Sequence, residues 1–509
     1  MADTKREIER KYESDDSGLP DLTGVAGVAG IVDKGTAELD ATYYDTSDLR
    51  LAAASITLRR RTGGHDAGWH LKLPVGPGVR DEIQAPLSDT VPDELAGLVR
   101  ARVREGQLVP VVRLRSDRDL RDLVAADGRQ LAEVGVDTVR AERLFGGEGT
   151  AQWTEIEVEL ADGEDQRILD KVEKRLRKAN VRPSKSASKL ARALAETRGG
   201  HPRPKDEPAE PVTAGDHVLA YVRAQRDAIV DLDPAVRQDA EESVHDMRVA
   251  TRRLRSTFKS FPKVLDRKVT DPIGDELKWL AGELGVGRDQ EVLAERLDTV
   301  LDDLPATLVH GPIQDRLATW SKAEYGGARR RLLGVLDSAR YLTLLDTLDA
   351  VVADPPVLKA AAKKPKKAKK PKKAEKVLAK AVRKDFAKVA ALIEEAMEQP
   401  PGTDRDLGLH EARKKAKRTR YAAEAAGPAL GSPAKALTKA MKSLQGLLGD
   451  HQDSVMVRVT LGELSAVAHA AKENTFTYGL LYGREERRAE EVEAALPEEW
   501  EAIKGSMDV

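Results

Sequence analysis

Near its start the chain reads REIERKYE, which sets Glu7, Glu9 and Lys11 at alternate positions. In an extended strand, side chains two residues apart share a face, so both carboxylates and the amine project the same way. The period recurs in Arg59 and Arg61 of LRRR, His70 and Lys72 of HLKLP, Arg113 and Arg115 of RLR, and Glu155, Glu157 and Glu159 of TEIEVEL. Ile8, Leu58, Leu71, Leu73, Leu114, Ile156 and Val158 fill the intervening positions, giving each strand one apolar and one charged face. In a single strand this describes a wet face with cross-strand ion pairs. Five such strands argue for more, because a closed sheet has an interior, and unpaired charges there cost several kcal/mol each. Such an interior is tolerable when its occupant supplies opposite charge. Clustered carboxylates suit hard divalent cations such as Mg²⁺ or Mn²⁺, clustered Arg and Lys suit phosphate oxygens, and a metal-bearing phosphate chain satisfies both.

A second set of cations has helical spacing. In HDMRVATRRLR, residues 245–255, His245, Arg248, Arg252 and Arg255 fall on one narrow face, with Met247, Ala250, Leu254, Phe258 and Phe261 opposite. HEARKKAKRTR, residues 410–420, repeats the stripe as His410, Arg413, Lys417 and Arg420, backed by Ala412, Ala416 and Ala423. Like charges three and four apart destabilise a helix by tenths of a kcal/mol per pair, so the stripes do not serve stability. A merely solvated face mixes signs, whereas these nearly exclude Asp and Glu. Two equivalent stripes therefore suggest one composite anion site, for polyphosphate, nucleic acid or an acidic protein. Tyr421 is the main aromatic fit to stack a base, which argues against single-stranded nucleic acid and makes nucleic acid an unlikely partner.

The elements that must carry these residues differ along the chain. Residues 1–200 show strand alternation broken by turn signals such as GTAELD and PVGPG, which predicts a closed or strongly curved antiparallel sheet. HPRPKDEPAEPV, residues 201–212, reads as a linker. From 213 to 509 the apolar period becomes helical, interrupted near 354–376 by a Lys, Ala and Pro tract that reads as a disordered cationic insertion. The helical region is duplicated: His245 to Gly285 spans 40 residues and His410 to Gly449 spans 39. The fold class is α+β with two domains, an antiparallel barrel followed by an all-α domain. With 84 Lys and Arg against 86 Asp and Glu, bulk charge names no partner, so the clusters decide. No cysteine is present, which excludes disulfides and thiolate metal sites, and no stretch has the roughly 20 apolar residues of a spanning helix. The expectation is a cytoplasmic protein without a membrane partner.

E-x-E-x-K followed in order by LRRR, WHLKLP, RLR, AEVGVD, EIEVEL and SKSASK resembles the CYTH, or triphosphate tunnel metalloenzyme, family over about residues 3–195. The resemblance implies a tunnel barrel that hydrolyses a triphosphate with a divalent metal. It implies Glu7, Glu9, Glu155, Glu157 and Glu159 as metal ligands, with Glu133 and Asp137 holding a second metal or orienting water. It places Lys11, Arg59, Arg61, Lys72, Arg113, Arg115 and Lys185 along the phosphates, and leaves Lys11 or Lys185 as alternatives for a base. His70 reads as structural.

The duplicated H-x-x-R-x-x-x-[RK]-[RK]-x-R, each copy followed by L-G-x-x-x-D, resembles the CHAD family over roughly residues 213–500. That implies two pseudo-symmetric helical bundles whose basic faces bind inorganic polyphosphate. The residues so implied are His245, Arg248, Arg252, Arg253, Arg255, Lys278 and Arg288 in the first copy, and His410, Arg413, Lys414, Lys417, Arg418, Arg420 and Lys442 in the second. Arg288-Asp289 corresponds to Gln452-Asp453, with His451 beside it, so the halves need not contribute equally. The expected function is metal-dependent hydrolysis of inorganic triphosphate or a related triphosphate, with polyphosphate binding and association with polyphosphate granules. A non-catalytic polyphosphate scaffold is the alternative from another class, ahead of an adenylate cyclase.

Overall fold

The computed structural model describes residues 3–14, 18–199, 210–362 and 372–505, apart from the side chains of Asp3, Arg288, Glu324, Tyr325 and Lys372. They form two compact units, Met1–Glu207 and Pro208–Val509. Most of the 201–212 linker lies outside the described residues.

The first unit contains, in chain order, β1 (Asp3–Ser14), β2 (Gly30–Asp45), α1 (Arg50–Ala53), β3 (Thr57–Thr62), β4 (Gly68–Gly76), β5 (Val79–Ala85) and α2 (Asp93–Val103). It continues with β6 (Val109–Val124), β7 (Gln130–Arg143), β8 (Gly147–Glu148), β9 (Thr150–Leu160), α3 (Arg167–Lys178), β10 (Arg182–Pro183), α4 (Lys189–Glu196) and β11 (Arg198–Gly199). Eight of these strands pair antiparallel in the order β1-β5-β4-β3-β2-β6-β7-β9, and β9 pairs back to β1, so the sheet closes. A closed sheet has no free edge, and its alternation becomes inside against outside. Here the usual sense is inverted. Apolar side chains face outward and are covered: Ile156, Val158 and Val134 pack against Ile168, Leu169, Val172 and Leu176 of α3, while Leu58, Leu71 and Ile83 pack against Leu95, Leu98 and Val99 of α2. The charged faces are left to the interior.

Two local devices set the register. Gly35, with φ of 83°, takes the left-handed turn that an irregularity in the β2–β6 ladder requires. The Asp45 carboxylate, fully buried, accepts from the backbone N–H groups of Thr46, Leu51 and Ala52 at 2.7–2.8 Å, fixing the corner that carries the chain from β2 to β3.

The second unit has nine α-helices among the described residues: α5 (Ala214–Arg237), α6 (Ser243–Ser260), α7 (Arg267–Asp302), α8 (Ile313–Leu336), α9 (Ala339–Ala353), α10 (Lys372–Glu398), α11 (Thr403–Leu430), α12 (Ser432–Ala470) and α13 (Phe476–Gly505). A capping box between Thr213 and Asp216 starts the first. Within α5–α8 and within α10–α13 each helix packs on the next, and the two series meet with α5 on α10, α6 on α11 and α7 on α12. That is a pseudo-two-fold arrangement of a repeated unit, with α9 inserted between the copies. The insertion is shorter than its composition predicts. Residues 363–371 lie outside the described residues, but residues 354–362 are pinned by Asp266 N donating to Pro356 O at 2.8 Å and Leu358 N donating to Val264 O at 2.9 Å. Residues from Lys372 on already belong to α10.

Candidate functional site

The barrel interior is built from register. Across β1 and β9, Glu9 lies opposite Glu159 and Lys11 opposite Glu157. Across β7 and β9, Glu133 lies opposite Glu159 and Asp137 opposite Glu155. Three adjacent strands thus form an acidic wall. Around the ring, β3, β4 and β5 contribute Arg59, Arg61, Lys72, Arg80 and Glu82, and β6 contributes Arg118, all lining a cavity of about 320 Å³. Its wall carries eight basic residues (Lys5, Lys11, Arg59, Arg61, Lys72, Arg80, Arg118, Lys189) and eight acidic ones (Glu7, Glu9, Asp66, Glu82, Glu133, Glu157, Glu159, Asp162). Such balance suits an anion accompanied by its metal better than either ion alone. Lys5, Gln84, Gln130 and Asp162, at or near the ends of their strands, mark one end of the cavity. Toward the other end, α4 packs Leu190, Ala193 and Leu194 among the inward residues Ala41, Tyr43, Leu114, Val139, Ala141 and Trp153. Ser188 caps α4, its hydroxyl accepting from Ala191 N at 3.1 Å, and Lys189 follows at the first helical position.

Lys189 Nζ lies 2.9 Å from Asp137, 2.9 Å from Glu155 and 2.5 Å from Glu157. Arg118 donates two bonds of 2.7 Å to Asp137 and one of 2.6 Å to Glu157. Lys11 pairs with Glu157 and, at 3.0 Å, with Glu9, while Lys72 pairs with Glu7. Burial alone would raise the Glu9 carboxyl, but Lys11, Lys72 and Arg80 hold it down at about 2. Burial, with Glu82 beside it, pushes Glu7 up to about 7 despite Lys72. Burial and the neighbours Arg59 and Arg118 bring Arg61 down to about 9, although its guanidinium pairs with Asp66. The Tyr43 phenol, which burial would raise, is brought below its ordinary value by Arg59, Lys189 and Lys72. Oxygens of Asp137, Glu155 and Glu157 lie within 4.8 Å of one another, a hard donor set of the kind divalent metals take.

In the helical unit, Arg248 and Arg252 of α6 meet Arg413 and Lys417 of α11. Arg248 donates to both oxygens of Asp289 at 2.7 and 2.8 Å, and its guanidinium lies over Gly285. Arg413 lies in the same way over Gly449, with Asp453 beside it. A Cβ on Gly285 would stand 2.7 Å from Arg248 Nη2, and one on Gly449 would stand 3.3 Å from Arg413 Nη2, so the repeated glycines are seats for the repeated arginines. Burial first, then Arg413, Arg252 and Arg248, push the Lys417 amine down to about 6.

The chain matches the CYTH domain model over residues 5–194 and the CHAD domain model over residues 220–462. The uncharacterized protein Rv2226 of Mycobacterium tuberculosis is 40% identical, covering 99% of this chain and 98% of the relative. This chain belongs to the CYTH–CHAD proteins. Among solved structures, PptA from Streptomyces chartreusis is 20% identical over 57% of this chain and 99% of its own, with a TM-score of 0.47. The CHAD domain from the plant Ricinus communis is 23% identical over 56% of this chain and 89% of its own, with a TM-score of 0.39. CYTH domains are metal-dependent and are often triphosphatases or cyclases. No helix among the described residues is long and apolar enough to cross a membrane.

Within the CYTH domain, Glu7, Glu9, Lys11, Arg59, Arg61, Lys72, Glu133, Glu157 and Glu159 line the cavity, and buried Asp137 and Glu155 meet at Lys189. Arg113 and Arg115 do not line it. They lie on the outer face with side chains 39% and 58% exposed, Arg113 bonded to Asp40 at 2.6 Å. The inward residues of β6 have the other parity, Leu114 and Arg118. Lys185 is exposed, and the second lysine of SKSASK, Lys189, takes the interior place. His70 is buried between Glu82 at 2.9 Å and the Asp66 carbonyl at 2.8 Å, a structural position. Sequence reasoning missed Arg80, Glu82, Arg118 and Lys189, although VRDEIQA carries Arg80 and Glu82 at the same alternate spacing.

Within the CHAD domain the stripes separate. His245 lines a different cleft, beside Glu241, Glu283 and Glu291. Arg253 and Arg420 both pair with Glu424, at 3.1 and 3.4 Å, and flank the Tyr421 ring. Arg418 pairs with Asp385 at 3.1 Å, and Lys414 with Glu411. Arg255 lies near Arg418 and Asp275, and His410 near Lys414 and Arg413. Lys278 and Lys442 are exposed. The Arg288 side chain lies outside the described residues. His451, by contrast, is buried against Glu493 at 3.1 Å and Asp406 at 3.4 Å.

Proposed function

We propose that the CYTH domain hydrolyses inorganic triphosphate or a related triphosphate with Mg²⁺ or Mn²⁺, and that the CHAD domain binds inorganic polyphosphate. The observation that carries the reading is one cavity inside a closed barrel, with an acidic wall on β1, β7 and β9 and a cationic wall on β3 and β4. The carboxylates that would hold metal are Asp137, Glu155 and Glu157, with Glu7, Glu9 and Glu159 along the same wall. A divalent metal held by these carboxylates would supply Lewis-acid stabilisation of the charge that develops in phosphoryl transfer. Arg59, Arg61 and Lys72 would hold the phosphates in line, and removal from bulk water strengthens each of these bonds. Against the effect of burial, Glu157 and Glu9 raise the Lys11 pKa, which favours its cationic form and supports a role in holding phosphate. Lys185 is exposed and does not line the cavity.

In the CHAD domain, the quartet Arg248, Arg252, Arg413 and Lys417 supports an anion site shared by both halves. Polyphosphate held there would keep the protein on cytoplasmic polyphosphate deposits and concentrate chain ends for hydrolysis. The test is phosphate release from inorganic triphosphate, ATP and thiamine triphosphate with Mg²⁺ or Mn²⁺, wild type against Glu157→Gln. Release abolished by the substitution supports the hydrolase. No release from any substrate, with polyphosphate still bound, leaves a scaffold, and cyclic AMP from ATP makes the domain a cyclase.

A further inference from the structure

The TYYD sequence of β2 places two tyrosines back to back. Tyr44 points outward and stacks on Trp69, ring centroids 4.9 Å apart. Tyr43 points inward, is 3% exposed, and belongs at once to the apolar layer around Leu114 and Val139 and to the lining of the charged cavity. For the apolar layer a phenylalanine would serve as well, and burying a hydroxyl without full hydrogen bonding is costly. The hydroxyl is half-satisfied. It accepts from Arg59 Nη1 at 3.4 Å, and its own proton has no acceptor among the described residues. Its charged neighbours are Arg59, Lys189 and Lys72, all donors. A buried O–H without an acceptor, surrounded by cations and facing a cavity, is complementary to an anionic oxygen.

We propose that Tyr43 donates its phenolic hydrogen bond to a phosphate oxygen of the bound oligophosphate, at the end of the cavity where α4 enters, and so fixes how far the chain inserts. The inference rests on the reading of this cavity as an oligophosphate site. Phosphate beside Tyr43, Arg59 and Lys189 leaves any substituent on the far phosphate to extend toward Lys5, Gln84 and Gln130. Tyr43 is therefore a substrate-contacting group whose loss acts on affinity and insertion depth, with the ring still packing the layer.

Calorimetric binding of a non-hydrolysable imidotriphosphate in Mg²⁺ to the full chain tests this, with wild type, Tyr43→Phe and Leu114→Val compared and the Tm of each recorded. Y43F should keep the wild-type Tm within a few degrees and weaken binding about 10-fold or more, as expected for a lost hydrogen bond to a charged group. L114V alters the same apolar layer without touching the hydroxyl and should bind within about twofold of wild type. Equal losses in both variants would assign the effect to packing and overturn the proposal, as would Y43F binding like wild type. Wild type that binds no imidotriphosphate would refute the oligophosphate reading itself, a result distinct from either.

Discussion

Replacing Lys417 by methionine keeps the length of the side chain and removes its charge from the quartet with Arg248, Arg252 and Arg413. The amine falls from its ordinary 10.5 to about 6 in the fold because burial and three guanidinium groups oppose its proton. Between those two values the unfolded chain carries a proton that the folded one releases, so stability rises with pH by up to about 1.4 kcal/mol per unit. Integrated from pH 6 to pH 9 the lysine contributes about 4 kcal/mol of pH dependence, flattening below its folded pKa. K417M should lack this slope and be the more stable protein at pH 6. Bound polyphosphate reverses the electrostatics, returns the proton to Lys417 and should draw about one proton from solution at pH 7.5. Urea titrations at several pH values read the first effect. Calorimetry in two buffers of different ionisation enthalpy reads the second, with K417M taking up none. Wild type and K417M with parallel stability profiles, or equal proton uptake, would refute the reasoning.

Lys189→Met should cost about 3–5 kcal/mol by stranding Asp137, Glu155 and Glu157, while Lys185→Met should leave Tm unchanged; Mn²⁺ should raise the Tm of K189M more than that of wild type. Arg113→Ala and Arg115→Ala should change triphosphate hydrolysis less than about twofold, against a loss of about 100-fold or more for Arg59→Ala, measured as kcat/KM. Gly285→Ala should displace the Arg248 guanidinium and weaken polyphosphate binding more than Gly449→Ala, because the closest approaches are 2.7 and 3.3 Å. Chelation of divalent metal should abolish phosphate release, with Mg²⁺ or Mn²⁺ restoring it.

The barrel and the paired helices were legible because each rests on a period, and a period survives without knowledge of tertiary contacts. Charge at every second residue in β1, β3, β4 and β9 marked the interior correctly in each. It failed in β6, where Arg113 and Arg115 mimic the pattern but the interior has the parity of Leu114 and Arg118; a one-residue change of phase exchanges the two faces, and two alternate arginines outvoted a lone one. SKSASK was a similar ambiguity of four residues. Only the cap at Ser188 decides that Lys189, and not Lys185, turns inward. In α6 and α11 the stripe was real along each helix, but contact between crossing helices is confined to a few turns. Arg248 and Arg252 fall within that stretch while His245 lies beyond it. The acids that take up Arg253, Arg418 and Arg420 are Glu424 and Asp385, and the Arg253–Glu424 pair joins helices distant in sequence.

The closure of the barrel between its first strand and β9 has a consequence for how the protein is made. Lys11 meets Glu157, and Glu9 lies opposite Glu159, so the acidic wall joins residues about 150 positions apart. Contacts of such separation form late and slowly in folding. During synthesis the sheet cannot close until β9 has emerged, and until then β1 exposes a strand edge with two glutamates and a lysine on one face. Those charges, which line the finished cavity, are also what keeps that waiting edge from pairing with another chain.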